Sequence, residues 1–339
     1  MKILRTDARL ETPFVDAELR KAGHELVLLP DGASEDEIIA QIADVELLLM
    51  CYAPITARVI AAAPNLKGIV KYGVGIDAID IPAAVARGIG VVNVPEYAEE
   101  TVAEGAFALM ISLLKRLPAI GCQMQKDGWA WPEAKWLGRD IAGSTVGIIG
   151  LGKIGGSMAR MAGAGFRARV IAYSPHTSDA QFEKAGVERC ETLHELLAQS
   201  DVVTIHSVLN PETHHLIGEA ELRAMQSHAC LINVSRGAIV DEQALIRALD
   251  EGWIAGAGLD VFSTEPLALQ DHPLSPLFGR DNVIVTPHLT FYTHQAMHRL
   301  EVETLERCQE IIDGRDLLIK SRDPRLAVQT KGVRFASEA

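Results

Sequence analysis

Positive charge is in deficit along this chain of 339 residues: 32 Lys plus Arg stand against 45 Asp plus Glu, a formal net charge of −13. Such a surface repels phosphate backbones, which argues against nucleic-acid binding through a basic face. Cysteine is sparse and scattered. Cys51, Cys122, Cys190, Cys230 and Cys308 form no CxxC pair and no Cys/His ligand spacing, so neither a zinc site nor a disulfide framework is expected, and no metal at all. A reducing, cytoplasmic setting is the default for such a set. Long apolar runs are missing too. The longest, residues 105–114, lies between Glu104 and Lys115-Arg116 and falls short of the roughly 20 residues of a membrane span. Charges punctuate the first sixteen residues, so no signal-peptide core is read. No repeat of solenoid period is visible. What is present is the composition of a globular protein, 48% hydrophobic and 23% charged, and the length suggests two domains at roughly 100–200 residues each.

Short apolar runs alternate with helix-like stretches. In the first part, residues 2–5, 25–29, 46–50, 66–70 and 90–93 read as strands, most with Gly, Pro, Asn or Asp close to an end. Residues 34–43 read as a helix with Ser34 as N-cap and Glu37 three residues on, a capping-box arrangement. A longer helix is expected over 99–117, acidic at its start, basic at its end and stopped by Pro118. Trp129, Trp131 and Trp136 follow within a few residues, either lining a pocket or pinning a connection to the surface. Strands resume at 145–149, 169–173, 202–207, 230–234, 258–262 and 283–286, and an amphipathic helix spans about 293–312. The tail from Lys320 reads as solvated. Strands alternating with helices imply an α/β protein of doubly wound, mostly parallel sheets.

Gly150-Leu151-Gly152-Lys153-Ile154-Gly155 is a G-x-G-x-x-G directly after an apolar strand and opening a helix over about 154–164. That context is the one a dinucleotide pyrophosphate needs. The first glycine permits the tight turn, the second lets backbone approach the phosphates, and the third packs helix on strand. N–H groups at the helix start then face the anion. In the usual NAD fingerprint an acidic residue about 20 positions on meets the ribose 2′-hydroxyl. Here that position is Ser174, followed by His176, Thr177 and Ser178, which can donate to a 2′-phosphate. Two readings stay open: NADP use, or an NAD enzyme that lacks this contact. The cofactor expectation is therefore NAD(P)H.

Ligands of an open α/β sheet bind beyond the carboxyl ends of its strands. Three titratable or charged residues stand there on consecutive strands: Arg236 in Asn233-Val234-Ser235-Arg236-Gly237, Glu265 after the strand ending at Phe262, and His288 in Thr286-Pro287-His288. Hydride transfer from a carbon that bears a hydroxyl requires a base for the hydroxyl proton, and the reverse reaction requires the same group as an acid. Histidine does both near neutral pH. A carboxylate beside it, here Glu265, favours its imidazolium form. Arg236 offers a planar fork for a substrate carboxylate.

Those stretches, with Gly73-Val74-Gly75-Ile76-Asp77, Val102-Ala103-Glu104 and Gly258-Leu259-Asp260-Val261-Phe262, fall in an order that resembles the D-isomer-specific 2-hydroxyacid dehydrogenase family, over about residues 43–312. The likeness is to glyoxylate/hydroxypyruvate reductases and to phosphoglycerate dehydrogenases without their regulatory domain. It implies a Rossmann dinucleotide-binding domain, residues 99–289, inserted into a flavodoxin-like substrate domain of residues 1–98 and 290–339. It implies hydride transfer between a nicotinamide and C2 of a small 2-hydroxy or 2-keto acid, D-specific, in a homodimer, with Arg236, Glu265 and His288 as the catalytic set. Gly73, Val74 and Gly75 resemble the substrate-carboxylate loop. Asp260 resembles the residue holding the nicotinamide carboxamide, Thr101 a cofactor contact, and His206 a contact near the adenosine.

Some positions depart from the family pattern. Cys51-Tyr52 stands where phosphoglycerate-type members carry Arg-Ser, which argues against a phosphorylated substrate. Tyr52, Tyr72, Phe291 and Tyr292 are expected to shape the side-chain pocket or to pack the core. Glyoxylate, hydroxypyruvate and similar acids are the expected substrates. A dinucleotide-sensing scaffold or corepressor on the same fold, and a formate dehydrogenase, are the competing readings; Glu265 and His288 fit hydroxy acids better than formate.

Overall fold

The computed structural model describes residues 1–336, which divide into two compact units, residues 1–98 with 293–336 and residues 99–292. In the first, β1 (Lys2–Arg5), β2 (Glu25–Leu28), β3 (Leu47–Met50), β4 (Gly68–Lys71) and β5 (Gly90–Asn93) form one parallel sheet of order β2-β1-β3-β4-β5. β3 and β4 are buried along their whole length, as strands of a parallel sheet covered on both faces must be. The crossover helices are α1 (Pro13–Lys21), α2 (Glu35–Ile42), α3 (Ala57–Ala61) and α4 (Ile81–Ala86). The capping box at α2 forms: the Glu37 N–H donates to the Ser34 hydroxyl at 3.3 Å, and the Ser34 N–H donates to the Glu37 carboxylate at 2.7 Å. α1 was not read from the sequence, because only Val15 and Leu19 mark its apolar side; Pro13 in its first turn sets its start.

The second unit begins with α5 (Glu99–Leu114) and α6 (Leu117–Asp127). The single helix expected over 99–117 is thus two. Arg116 adopts a left-handed φ of 53° that ends α5, and Pro118 opens α6 rather than stopping its predecessor. A proline fits the first turn of a helix because the N–H it lacks has no intrahelical partner there. Seven parallel strands follow: β6 (Thr145–Ile149), β7 (Arg169–Tyr173), β8 (Glu188–Arg189), β9 (Val202–Ile205), β10 (Cys230–Asn233), β11 (Gly256–Leu259) and β12 (Val283–Val285). Their order is β12-β11-β10-β9-β6-β7-β8. α7 (Lys153–Arg160), α8 (Asp179–Ala185), α9 (Leu193–Gln199), α10 (Glu219–Ala224) and α11 (Glu242–Asp250) connect them. Alternate side chains feed two cores: Ile205, Leu231 and Leu245 on one face, Met110, Val146 and Ile232 on the other. Trp129 and Trp131 stand exposed against each other, ring centroids 6.0 Å apart, and pin nothing down.

The chain returns to the first unit through α12 (His294–Ile312), β13 (Leu317–Ile319), α13 (Pro324–Ala327) and β14 (Val333–Phe335). A tail read as solvated is in fact docked up to residue 336. Leu326 is fully buried, and the Gln329 amide bonds both the N–H and the carbonyl of Val91 at 2.8 and 2.9 Å, satisfying the outer edge of β5.

Tyr72 also departs from expectation. It is fully buried, and its hydroxyl donates to the Thr6 carbonyl at 2.5 Å, so it is a core residue of the first unit rather than a pocket wall. Beside it the buried Asp7 carboxylate accepts the N–H groups of Cys51 and Tyr52, both at 2.9 Å, and fastens the turn after β3 to the turn after β1. Tyr72→Phe leaves the Thr6 carbonyl without its partner in a dry site. It should destabilise the first unit by about 1–2 kcal/mol, read as a lowered denaturant midpoint at unchanged slope. An unchanged midpoint contradicts the bond's role.

Candidate active site

In the second unit the strand order reverses at β6: the chain moves outward through β7 and β8, then crosses back to place β9 on the other side of β6. The crevice of such a sheet opens between those two strands. The glycine turn sits there. Gly150 takes a φ of +93°, and a Cβ on it would lie 2.8 Å from the His206 carbonyl carbon and the Ser207 nitrogen. A Cβ on Gly155 would lie 2.1 Å from the Gly150 carbonyl oxygen. Neither position admits a side chain. Gly152 is different: it caps α7 without a side-chain bond, and a Cβ there meets nothing within 4 Å. Open space before an uncapped helix start is the cradle a pyrophosphate requires. Lys153 and Ile154 form the first turn of α7, the lysine paired to Glu99 at 2.9 Å and Ile154 packed on the core; Thr101 is buried in the first turn of α5.

At the end of β7 stands Ser174, where the NAD fingerprint carries an acidic residue. The Ser174 hydroxyl accepts the Leu151 N–H at 3.1 Å and lies 2.8 Å from that of Thr177, bracing the glycine turn. Ser178 is taken up in capping α8 with Gln181. His176 is exposed, its Nε2 3.2 Å from the Glu212 carboxylate. His206 differs from the expected ligand contact. Its Nε2 meets the Thr204 hydroxyl at 2.9 Å, its Nδ1 is sealed from solvent, and burial pushes the imidazole down to about 3. It stays neutral, and it serves the site through the backbone against which Gly150 packs.

The next three strand ends carry the titratable groups. Gly237 lets the end of β10 approach the loop after β11, since a Cβ there would lie 2.0 Å from the Phe262 carbonyl carbon. That contact sets Arg236 beside the loop that bears Glu265. The Glu265 carboxylate accepts the Phe262 N–H at 2.9 Å and holds His288, whose Nδ1 is 2.9 Å from Oε2 and 3.2 Å from Oε1. Burial pushes the Glu265 carboxyl up, but the His288 bond and charge, the Phe262 N–H and the Arg236 charge outweigh it and hold it below its ordinary value. Glu265 is therefore an anion at neutral pH, and Nδ1 is committed to it.

His288 adopts a φ of +58°, which an L residue holds only where its surroundings impose it. Asp260 does so. Fully buried just after β11, its carboxylate accepts four bonds from the loop around His288: the Thr286 hydroxyl at 2.5 Å, the Leu289 N–H at 2.9 Å, and the Thr290 N–H and hydroxyl at 2.9 and 2.7 Å. The resemblance gave Asp260 a carboxamide contact; the structure shows a residue that positions the histidine loop. The threonines at two residues before and two after His288 were the sequence signal that went unread. Phe291 is buried behind His288, ring centroids 6.4 Å apart, whereas Tyr292 is exposed.

In the first unit, Gly73 turns at a φ of +150° directly after β4. Its carbonyl accepts the Val94 N–H at 3.1 Å, and the Val74 carbonyl accepts the Asn93 amide at 2.6 Å. Both carbonyls point into protein, and the Gly73 N–H donates to the Lys71 carbonyl at 3.0 Å, so the Val74 and Gly75 N–H groups are the donors of the turn that could meet an anion. Val74 and Tyr52 are exposed.

A pyrophosphate cradle and an ion-paired histidine at the carboxyl edge of one parallel sheet define a dinucleotide-dependent dehydrogenase. Residues 107–290 match the profile described as D-isomer specific 2-hydroxyacid dehydrogenase, NAD binding domain. A glyoxylate reductase of Korarchaeum cryptofilum is 41% identical over 299 residues, 85% of this chain and 88% of that protein. Among solved structures, D-lactate dehydrogenase from Aquifex aeolicus with NAD and lactic acid aligns at a TM-score of 0.82 and 31% identity, covering 92% of this chain and 96% of that one. The NADPH-dependent glyoxylate/hydroxypyruvate reductase of Sinorhizobium meliloti, with NADP and malonate, aligns at 0.82 and 28% identity, covering 93% and 95%. The chain belongs to the D-isomer-specific 2-hydroxyacid dehydrogenase family. It is an NAD(P)-dependent oxidoreductase that moves a hydride between the nicotinamide and C2 of a small 2-hydroxy or 2-keto acid. These relatives lend nothing to the scaffold reading.

Asp260→Ala frees the histidine loop. Misplacing a reacting group by about 1 Å costs roughly a hundredfold, and kcat should fall at least that far with the fold intact by circular dichroism. A kcat within threefold of the unmutated enzyme contradicts the positioning role.

Proposed function

We propose that this enzyme works as a 2-keto acid reductase, with His288 as its general acid in reduction and its base in the reverse direction. The observation that carries the assignment is the Glu265–His288 pair, 2.9 Å apart, on the same strand-end edge as the glycine cradle. Gly150, Gly152, Lys153, Ile154 and Gly155 hold the dinucleotide, and the bound nicotinamide supplies the hydride. Glu265 keeps a proton on Nδ1, so His288 delivers its other proton from Nε2 to the oxygen that becomes the C2 hydroxyl. Arg236 grips the substrate carboxylate and polarises the keto oxygen. The unit of residues 1–98 and 293–336 acts as the substrate domain, with the Gly73-Val74-Gly75 turn on the carboxylate through its Val74 and Gly75 N–H groups, the Gly73 N–H being bonded to the Lys71 carbonyl. Glyoxylate and hydroxypyruvate are the first acids to try, since named relatives reduce them.

The enzyme is proposed to be a cytoplasmic homodimer without nucleic-acid partners. The exposed apolar residues Leu117, Met124, Trp129, Trp131 and Leu137 supply a face for self-association, and a single-chain mass by sedimentation equilibrium sinks that part. The chain accepts both NADH and NADPH: Ser174 brings no carboxylate against a 2′-phosphate, while Glu212 beside His176 denies that phosphate a strong cation site.

His288→Ala should lower kcat by about 10²–10⁴-fold, the usual yield of a positioned acid–base group, with cofactor affinity by fluorescence titration unchanged. Near-normal turnover overturns the assignment. Ser174→Asp places a negative charge where NADP carries its 2′-phosphate; kcat/KM with NADPH should fall at least tenfold while that with NADH changes less than threefold. An equal loss with both cofactors refutes the cofactor reading.

A further inference from the structure

Lys71 ends β4 and is 94% buried, yet among the described residues no carboxylate lies within ion-pair distance of its ammonium. Its Nζ donates to the Cys51 carbonyl at 2.5 Å and reaches the Cys51 sulfur at 3.1 Å. Those contacts use two of three N–H directions. Asp7, on the turn after β1, bonds the Thr6 hydroxyl and the 51–53 backbone N–H groups through its Oδ2 and forms no ion pair with Lys71 among the described residues. A buried ammonium without an anionic partner is costly, and such groups cluster where a ligand supplies the missing charge.

The location points to the ligand. A Cβ on Gly73 would lie 2.9 Å from Lys71 Nζ, so the ammonium sits directly against the Gly73-Val74-Gly75 turn, and the absence of a side chain at 73 is what leaves room there. On its other side lies the Tyr52 ring, 5.5 Å from Nζ and 43% exposed. A monocarboxylic keto acid has one anionic group, and on the proposed reading the Val74 and Gly75 N–H groups of the turn take it. Lys71 is a cation in surplus of that need.

We infer that Lys71 determines substrate specificity: its ammonium receives a second carboxylate at the far end of the 2-keto or 2-hydroxy acid, so that dicarboxylic acids are preferred over monocarboxylic acids of equal length. The remaining N–H direction can take one oxygen of a terminal carboxylate. The inference rests on the reading of Gly73-Val74-Gly75 as the substrate loop.

The test compares two pairs that differ only in a terminal carboxylate against a methyl group: 2-ketoglutarate with 2-ketovalerate, and 2-ketosuccinate with 2-ketobutyrate. Glyoxylate serves as the reference acid. The full-length enzyme should show kcat/KM at least tenfold higher for the dicarboxylate of one pair, carried by KM. Lys71→Met should abolish that preference with less than threefold loss on the monocarboxylate, and Lys71→Arg should restore it. Equal losses on both members of a pair place Lys71 on the shared C1 carboxylate or on the fold and overturn the inference. So does an unmutated enzyme with no dicarboxylate preference, a result that decides the matter even if Lys71→Met fails to fold. Turnover of glyoxylate without that preference removes the Lys71 inference alone, whereas no turnover of any of the five acids removes the reductase reading with it.

Discussion

One buried carboxylate carries much of the site. Asp260 follows β11 in the middle of a hydrophobic layer and accepts four hydrogen bonds, all from the five residues that surround and include His288. A carboxylate has about four lone-pair sites, so its hydrogen-bonding capacity is filled there. That anchor holds the loop in which His288 keeps its positive φ and meets Glu265. The geometry depends in turn on strand ends that come closer than any side chain permits, at Gly150 against His206, Gly155 against Gly150 and Gly237 against Phe262. The glycine cradle and the acid–base pair are two consequences of one condition, tight backbone contact along the carboxyl edge of a parallel sheet.

The strands were legible because each is a short apolar run with turn residues near it, and the glycine turn because strand, turn and helix follow in the order a pyrophosphate needs. Arg236, Glu265 and His288 were found by a positional rule, the carboxyl ends of consecutive strands. What stayed hidden depends on partners far away in sequence. Nothing local says that Asp260 spends its oxygens on residues 286–290, that His206 Nδ1 is sealed from solvent, or that Gln329 caps the edge of β5. Pro118 was misread because a proline both ends and begins helices, and the left-handed Arg116 that decides between them leaves no compositional trace. Tyr72 and Lys71 show the sharpest limit. Successive strand residues face opposite ways, so one position separates a tyrosine bonded to Thr6 from a lysine set against the Gly73 turn.

The charge balance acquires a local meaning. A protein of net charge −13 handles a dinucleotide and an organic acid, both anions. On the proposed reading it does so with few, placed positive elements: the start of α7, Arg236 and Lys71.

The central claim is that Glu265 fixes a proton on Nδ1 of His288 and leaves Nε2 to exchange with the substrate. Nitrogen-15 NMR of the histidine-labelled enzyme reads this directly, with the His288 signals assigned by their loss in His288→Gln. The account predicts that neutral His288 is protonated at Nδ1 and bare at Nε2, with a hydrogen-bonded Nδ1 proton that disappears in Glu265→Ala. A neutral His288 protonated at Nε2, or a Nδ1 proton unaffected by loss of Glu265, contradicts it.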